Sequence, residues 1–169
     1  LIITFSTCKI LRCNFYENSV NKTSIISILS SFCILECCNI NFNYASHSLN
    51  QGLILSCNSN CDLINVTLKF NINITPLFRF EWRSYIAFYN STFIDNCYNN
   101  DKDQMNLMLC DGICEISMYE TNIINNNYTI LKATKEKARV IMNTVNISFN
   151  HAGKFALFDI PGSFFAFSM

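Results

Sequence analysis

Cysteine has the most reactive side chain in this sequence of 169 residues, and the chain contains ten cysteines. C-x₃-C pairs that a zinc site could use are Cys57 with Cys61 and Cys110 with Cys114. Thiolates can hold zinc, but structural zinc sites favour two-residue gaps and nearby histidines. His47 and His151 instead lie in segments of variable length. We therefore predict no bound metal and no other cofactor.

Acidic side chains are densest in residues 99–104, with Asp111 downstream. Asp101 and Asp103 have the one-residue gap that calcium loops use, but Met105 occupies the next ligand position. We interpret this segment as a solvated insertion loop. The sequence also lacks a nucleophile elbow, a Walker loop and an H-E-x-x-H motif. We therefore predict no catalytic residue.

Asparagine offers a third kind of chemistry, because N-x-S/T sequons can accept an N-linked glycan. Six sequons are present, and the one at Asn73 is weakened by Pro76 directly after its threonine. The candidate glycosylation sites are Asn21, Asn65, Asn90, Asn127 and Asn146. Sequons together with many cysteines favour an extracellular or cell-surface location.

A repeated pattern must position these residues. Six asparagines recur at intervals of 24 to 30 residues, which indicates a solenoid. They are Asn18, Asn43, Asn71, Asn96, Asn126 and Asn150. An apolar residue stands three places before each, in a column formed by Phe15, Ile40, Leu68, Phe93, Ile123 and Ile147. We predict that these apolar side chains stack in the core, while each asparagine turns the chain in a left-handed conformation and bonds to the next asparagine.

Further columns upstream define the strands of each coil. Apolar side chains stand eight and ten places before each asparagine and small ones twelve places before, an alternation with a period of two. The alternation of inward and outward side chains changes phase before the strand that ends at the asparagine. We therefore predict two strands joined by a bend. Cysteines fall in these inward columns at positions 8, 33 and 61 and at positions 13 and 38. We predict reduced thiol stacks there, and disulfides among the loop cysteines Cys57, Cys97 and Cys110.

Three phenylalanines share the column just before the corner asparagine: Phe42, Phe70 and Phe149. Two interpretations stay open. These rings either pack beneath the variable segments or form an exposed hydrophobic strip on which a sugar could stack.

The tetrapeptides FYEN (15–18) and FIDN (93–96), with small and apolar positions upstream, resemble the repeats of polymorphic-membrane-protein-like surface proteins. That resemblance implies a right-handed parallel β-helix, the pectin-lyase-like fold. The fold we predict is all-β, a right-handed parallel β-helix of about six coils of 24–30 residues. An antiparallel β-sandwich is the rival fold.

The C-terminal residues 163–169 have the pattern of a seventh coil that stops halfway. We therefore expect residues 1–169 to be a single β-helix domain, incomplete at both ends, from a longer array. The longest uncharged apolar run, residues 23–35, is shorter than the ~20 residues that span a bilayer. We expect membrane attachment only through an anchor outside this chain.

Twelve basic and twelve acidic residues cancel, which removes a general electrostatic attraction to nucleic acid. We predict a non-enzymatic surface or extracellular β-solenoid segment for adhesion or structural display, with a host or cell-surface protein or a glycan as partner. The alternative is part of a polysaccharide lyase or hydrolase whose catalytic coils lie outside this chain. Such enzymes need clustered acids, and the sequence places no two acids at one position on adjacent coils.

Overall fold

The computed structural model describes residues 1–20, 24–45, 52–97, 106–134, 138–152, 156–161 and 164–168. These residues contain twenty β-strands and no helix. In chain order the strands are β1 (Ile2–Thr4), β2 (Thr7–Leu11), β3 (Asn14–Tyr16), β4 (Ser19–Val20), β5 (Ile26–Leu29), β6 (Phe32–Glu36), β7 (Asn39–Asn41), β8 (Tyr44–Ala45), β9 (Ile54–Cys57), β10 (Asn60–Ile64), β11 (Thr67–Lys69), β12 (Phe78–Tyr89), β13 (Thr92–Ile94), β14 (Asn106–Tyr119), β15 (Asn122–Ile124), β16 (Thr129–Ala133), β17 (Ala138–Asn143), β18 (Asn146–Ser148), β19 (Phe158–Asp159) and β20 (Phe164–Ser168).

The strands form three sheets of twelve, six and two strands. Every strand pairing in the described residues is parallel, and each joins a strand to its equivalent one coil away. The six-stranded sheet, for example, runs β3, β7, β11, β13, β15 and β18 in coil order. The prediction of an all-β parallel solenoid is confirmed, and the antiparallel sandwich is wrong.

The register between coils follows the repeat. Phe15, Ile40, Leu68, Phe93, Ile123 and Ile147 are successive Cα partners in the six-stranded sheet. The four middle members are fully buried. Because a one-residue slip would turn this column to the solvent, burial of one face fixes the register. The six marked positions are separated by five turns of the chain.

Single residues with positive φ make the corners of each coil. In the column just before the corner asparagine, all six residues have φ between 52° and 56°. They are Glu17, Phe42, Phe70, Asp95, Asn125 and Phe149. A second set lies six places before the asparagine: Arg12, Cys37, Asn65, Asn90, Glu120 and Thr144. The coil therefore bends at both ends of the short strand that carries the core stack.

The expectation that the corner asparagine itself is left-handed is wrong, because the preceding residue makes the turn. The N–H of that preceding residue still continues the strand ladder, as from Phe42 to the Lys69 carbonyl at 3.0 Å. The left-handed residue then redirects the next peptide. The asparagine N–H that follows needs an acceptor, and a side chain of the following coil supplies it.

Candidate functional site

The six corner asparagines form one continuous hydrogen-bonded ladder. Each Nδ2 donates to the Oδ1 of the asparagine in the following coil at 2.8 to 3.0 Å. The same Oδ1 accepts the backbone N–H of the preceding asparagine at 2.9 to 3.2 Å. The four inner asparagines are fully buried, and their amides also donate to carbonyls of the core stack. These residues hold coils together, and their polar atoms are already engaged within the protein.

Serine does the same at other corners of the coil. The Ser31 Oγ accepts the N–H of Ser6 at 3.2 Å, and the Ser59 Oγ accepts the N–H of Ser31 at 3.1 Å. At the corner six places before the asparagine, the Ser91 Oγ accepts the N–H of Val66 at 3.2 Å. The serines in the columns of small residues therefore accept hydrogen bonds from backbone N–H groups at the corners, in addition to filling space. An N–H without such a partner would cost about 1–3 kcal/mol.

Five aromatic residues at left-handed corners are the first candidates for binding a partner. We name these the corner aromatics: Phe5, Phe42, Phe70, Trp82 and Phe149. Phe5, Trp82 and Phe149 are 87%, 72% and 85% exposed. Phe42 is also exposed and Phe70 is half-buried. Of the two interpretations of the phenylalanine column, packing beneath the variable segments does not hold for Phe42 and Phe149.

Folding gives no reason for aromatic residues at these corners. A non-glycine residue in the left-handed region costs roughly 1–2 kcal/mol, and asparagine lowers that cost. Asparagine does occupy other corners of the same coils, at Asn58, Asn65, Asn90 and Asn125. Strained backbone combined with exposed apolar surface is instead typical of binding sites.

Three neighbouring rings make a continuous aromatic strip, which we define as Tyr16, Phe42 and Phe70. The ring centroids of Tyr16 and Phe42 lie 5.2 Å apart, and those of Phe42 and Phe70 lie 5.0 Å apart. The Lys69 Nζ lies 4.5 Å from the Phe70 centroid. Cation–π contact and mutual ring packing hold the strip in place while its outer surface stays accessible.

Replacing Phe149 by asparagine should stabilise the protein. Phe149 is exposed with φ 55°, while Asn125 holds the equivalent corner one coil earlier with φ 52°. We expect Phe149→Asn to raise the free energy of unfolding by about 0.5–1 kcal/mol, because asparagine tolerates the left-handed conformation better. Urea denaturation of the two proteins measures the difference. A loss of stability would show that the Phe149 ring makes a structural contact.

A cluster of charged side chains on the large sheet is the second candidate site. Glu81 of β12 and Asp111 of β14 are register partners on adjacent coils. Arg79 lies between them, with its Nε 2.6 Å from the Glu81 Oε1 and an Nη 3.3 Å from the Asp111 Oδ2. The Thr134 hydroxyl donates to the Asp111 Oδ1 at 2.8 Å. All three charged side chains are only 20–33% exposed, so the carboxylates are held in fixed positions.

This pair overturns the expectation that no acids share a position on adjacent coils. Glu81 and Asp111 both stand fifteen places before their corner asparagines, Asn96 and Asn126. That position lies upstream of the columns that alternate from twelve places before the asparagine, so the regular unit does not include it. Equal spacing from the corner is the signal that could have found it.

The cysteines fall into the two groups that the columns suggested. Cys8, Cys33 and Cys61 are register partners with free thiols, and Cys33 and Cys61 are fully buried. A hydrogen bond to Cys33 and burial raise the pKa of Cys61 well above its usual value, so this thiol stays protonated at neutral pH. Cys13 and Cys38 are also free.

The disulfide prediction holds for one of its three cysteines. Cys110 is disulfide-bonded to Cys114, whereas Cys57 and Cys97 are thiols. Burial raises the pKa of both thiols. Within the described residues, no three His, Cys, Asp or Glu side chains are grouped as metal ligands. The acidic segment 99–104 lies outside those residues.

The sequons remain candidates for glycosylation. Asn65, Asn90, Asn127 and Asn146 are exposed, and Asn21 lies outside the described residues. Asn65 and Asn90 stack on adjacent coils, with the Asn90 Nδ2 donating to the Asn65 Oδ1 at 2.7 Å. The described part of the chain has no helix that is long and apolar enough to span a bilayer.

Comparison with models of protein families finds no match to this chain, and comparison with curated proteins finds no relative.

Proposed function

We propose that this chain is a non-enzymatic, surface-exposed or extracellular β-solenoid segment that serves adhesion or structural display. In this role the chain would act like the repeat regions of polymorphic-membrane-protein-like surface proteins. Its coil would be right-handed, as in the pectin-lyase-like fold. The observation that carries the proposal is the set of aromatic side chains exposed at strained corners, above all the aromatic strip of Tyr16, Phe42 and Phe70.

A stacked solenoid suits display because each coil repeats the same corners at fixed spacing. The buried asparagine and serine caps satisfy the backbone, so the corner residues outside them can vary without loss of the fold. Aromatic residues offer a large contact area at low cost in conformational entropy. The partner we propose is a host or cell-surface protein or a glycan, and attachment to a membrane would need an anchor outside this chain.

Two further features support an extracellular setting. The Cys110–Cys114 disulfide is of a kind that persists in oxidising compartments. Four of the five candidate glycosylation sites lie on the exposed surface, where a glycan can be carried. The balanced net charge gives no general attraction to nucleic acid, which we exclude as a partner.

Binding of the purified chain to whole cells tests the proposal. The double variant Phe42→Asn/Phe70→Asn should bind at least tenfold more weakly, a change of about 1.4 kcal/mol, because it removes two rings of the strip and keeps a corner-compatible residue. Asn39→Ala, which changes an exposed polar residue outside the corner aromatics, is the control and should bind like the wild type. Equal binding by the double variant would refute the role of the strip, and no binding by the wild type would refute adhesion.

One observation favours the alternative, a polysaccharide lyase or hydrolase. The Glu81 and Asp111 carboxylates belong to register partners on adjacent coils and share Arg79, and a pair of carboxylates is what acid–base catalysis on a sugar chain uses. Incubation with acidic and neutral polysaccharides, followed by reducing-end analysis, tests this function. Activity that is lost in Glu81→Gln and in Asp111→Asn would replace the adhesive role with an enzymatic one.

A further inference from the structure

We propose that the corner formed by Glu81, Trp82 and Arg83 with Asp111, Gly112 and Ile113 is a binding site for a neutral pyranose of a glycan chain. We name these six residues the bulge site. The inference rests on the proposed adhesive function and deepens it, because it names a ligand class and a site separate from the aromatic strip.

An extra residue creates the site. Cys57 pairs with Glu81 and Asn60 pairs with Tyr85, so two residues of one coil face three residues of the next. Such a β-bulge re-aims side chains. Glu81 is half-buried, Trp82 and Arg83 are exposed, and the chain turns inward again only at Ser84. Three consecutive side chains therefore reach the outer surface at one place.

The next coil approaches the backbone of Trp82 closely. Gly112 is its register partner, and a Cβ at that position would lie 2.7 Å from the Trp82 N and 2.8 Å from its carbonyl oxygen. Gly112 also has φ 149°. The register partner of Trp82 must therefore lack a side chain, so this described position places no side chain beside the indole. Trp82 remains 72% exposed.

Groups for hydrogen bonding adjoin Trp82 in the chain and in the paired strand of the next coil. Glu81 and Asp111 are held by Arg79 and can accept hydrogen bonds from sugar hydroxyls, while the guanidinium of Arg83 can donate. An exposed indole face is the usual partner for the C–H face of a pyranose. Two guanidinium groups balance two carboxylates, so the site favours a neutral sugar over a uronate. Preformed polar groups around an aromatic platform are the features that fix and orient a small ligand.

Trp82 is the only tryptophan of the chain, so its fluorescence reports this site alone. We would titrate the intact chain with neutral hexasaccharides of β-linked glucose, N-acetylglucosamine and mannose, and with oligogalacturonate. We expect a saturable blue shift with at least one neutral oligosaccharide and a weaker response to oligogalacturonate. No shift at millimolar concentration with any neutral probe, or a preference for the acidic one, would overturn the proposal.

Calorimetry with the responding oligosaccharide tests the residues. Trp82→Asn, in which asparagine suits the left-handed corner, should lower the affinity for the oligosaccharide at least tenfold. Trp82→Phe, which keeps an aromatic ring, should retain most of the wild-type affinity. Unchanged affinity in Trp82→Asn would overturn the assignment. Cell binding separates the two proposals. If the wild type adheres to cells but does not respond to sugars, only the bulge site is rejected. If it responds to sugars but does not adhere to cells, only the adhesive role is rejected.

Discussion

Asn71→Ala should lower the free energy of unfolding by about 3–4 kcal/mol. The fully buried Asn71 side chain donates to the Asn96 Oδ1 and to the Ile40 carbonyl, each at 2.8 Å. It also accepts the Asn43 N–H at 3.2 Å and the Asn43 Nδ2 at 2.9 Å. Alanine would leave a redirected backbone N–H without its acceptor in the middle of the solenoid. The midpoint of urea unfolding and hydrogen exchange at the Asn43 amide measure the effect.

Asn39→Ala is the matched control, because Asn39 lies in the adjacent coil on the exposed face. Its amide makes one exposed hydrogen bond, to the Asn14 Oδ1 at 2.9 Å. We expect a change within about 0.5 kcal/mol. Similar losses for Asn71→Ala and Asn39→Ala would show that the buried ladder is not what stabilises the coils.

Asn71→Asp separates the loss of a donor from the loss of volume. At neutral pH a carboxylate would face the Asn96 Oδ1 and the Ile40 carbonyl without a proton to donate. Burial would raise its pKa in the folded state above the unfolded value. The free energy of unfolding should therefore recover as the pH falls through the folded pKa, since the native state binds the proton more tightly than the unfolded state does.

Phe93→Ala should cost about 3–5 kcal/mol. The ring is fully buried, with its centroid 5.3 Å from that of Phe78 and 5.2 Å from that of Phe88. Its register partners in the adjacent coils are Leu68 and Ile123. Truncation would leave a cavity between packed coils that cannot close without breaking the strand ladder. Thermal and urea unfolding measure the loss.

Phe93→Leu provides the graded comparison, because leucine already occupies this column one coil earlier. We expect it to lose about 1.5 kcal/mol or less. A loss for Phe93→Ala as small as that for Phe93→Leu would contradict the view that the core stack is closely packed.

The coil register was predictable from the sequence, because two requirements coincide there. Residues of one column contact each other in a parallel stack, and a buried face demands apolar side chains at every second position. Ile40, Leu68 and Phe93 satisfy both requirements, so their stacking follows from spacing alone. The corner asparagines were identified for the same reason, since each repeats at one distance from that column.

Only the tertiary structure decided the left-handed residue at each corner. The sequence could not distinguish Asn43 from Phe42 in that role, since asparagine is the more usual left-handed residue. The choice depends on which of the two side chains is buried. The Asn43 amide must reach the asparagine ladder inside the coil, and Phe42 therefore takes the turn and faces the solvent.

The sequence by itself determined the repeat, the buried columns and the parallel stacking of this protein, because these depend on the period of local alternation. The tertiary structure alone decided the bulge at Trp82 and the disulfide of Cys110. Both depend on residues outside the regular unit, where one added residue changes which side chains meet.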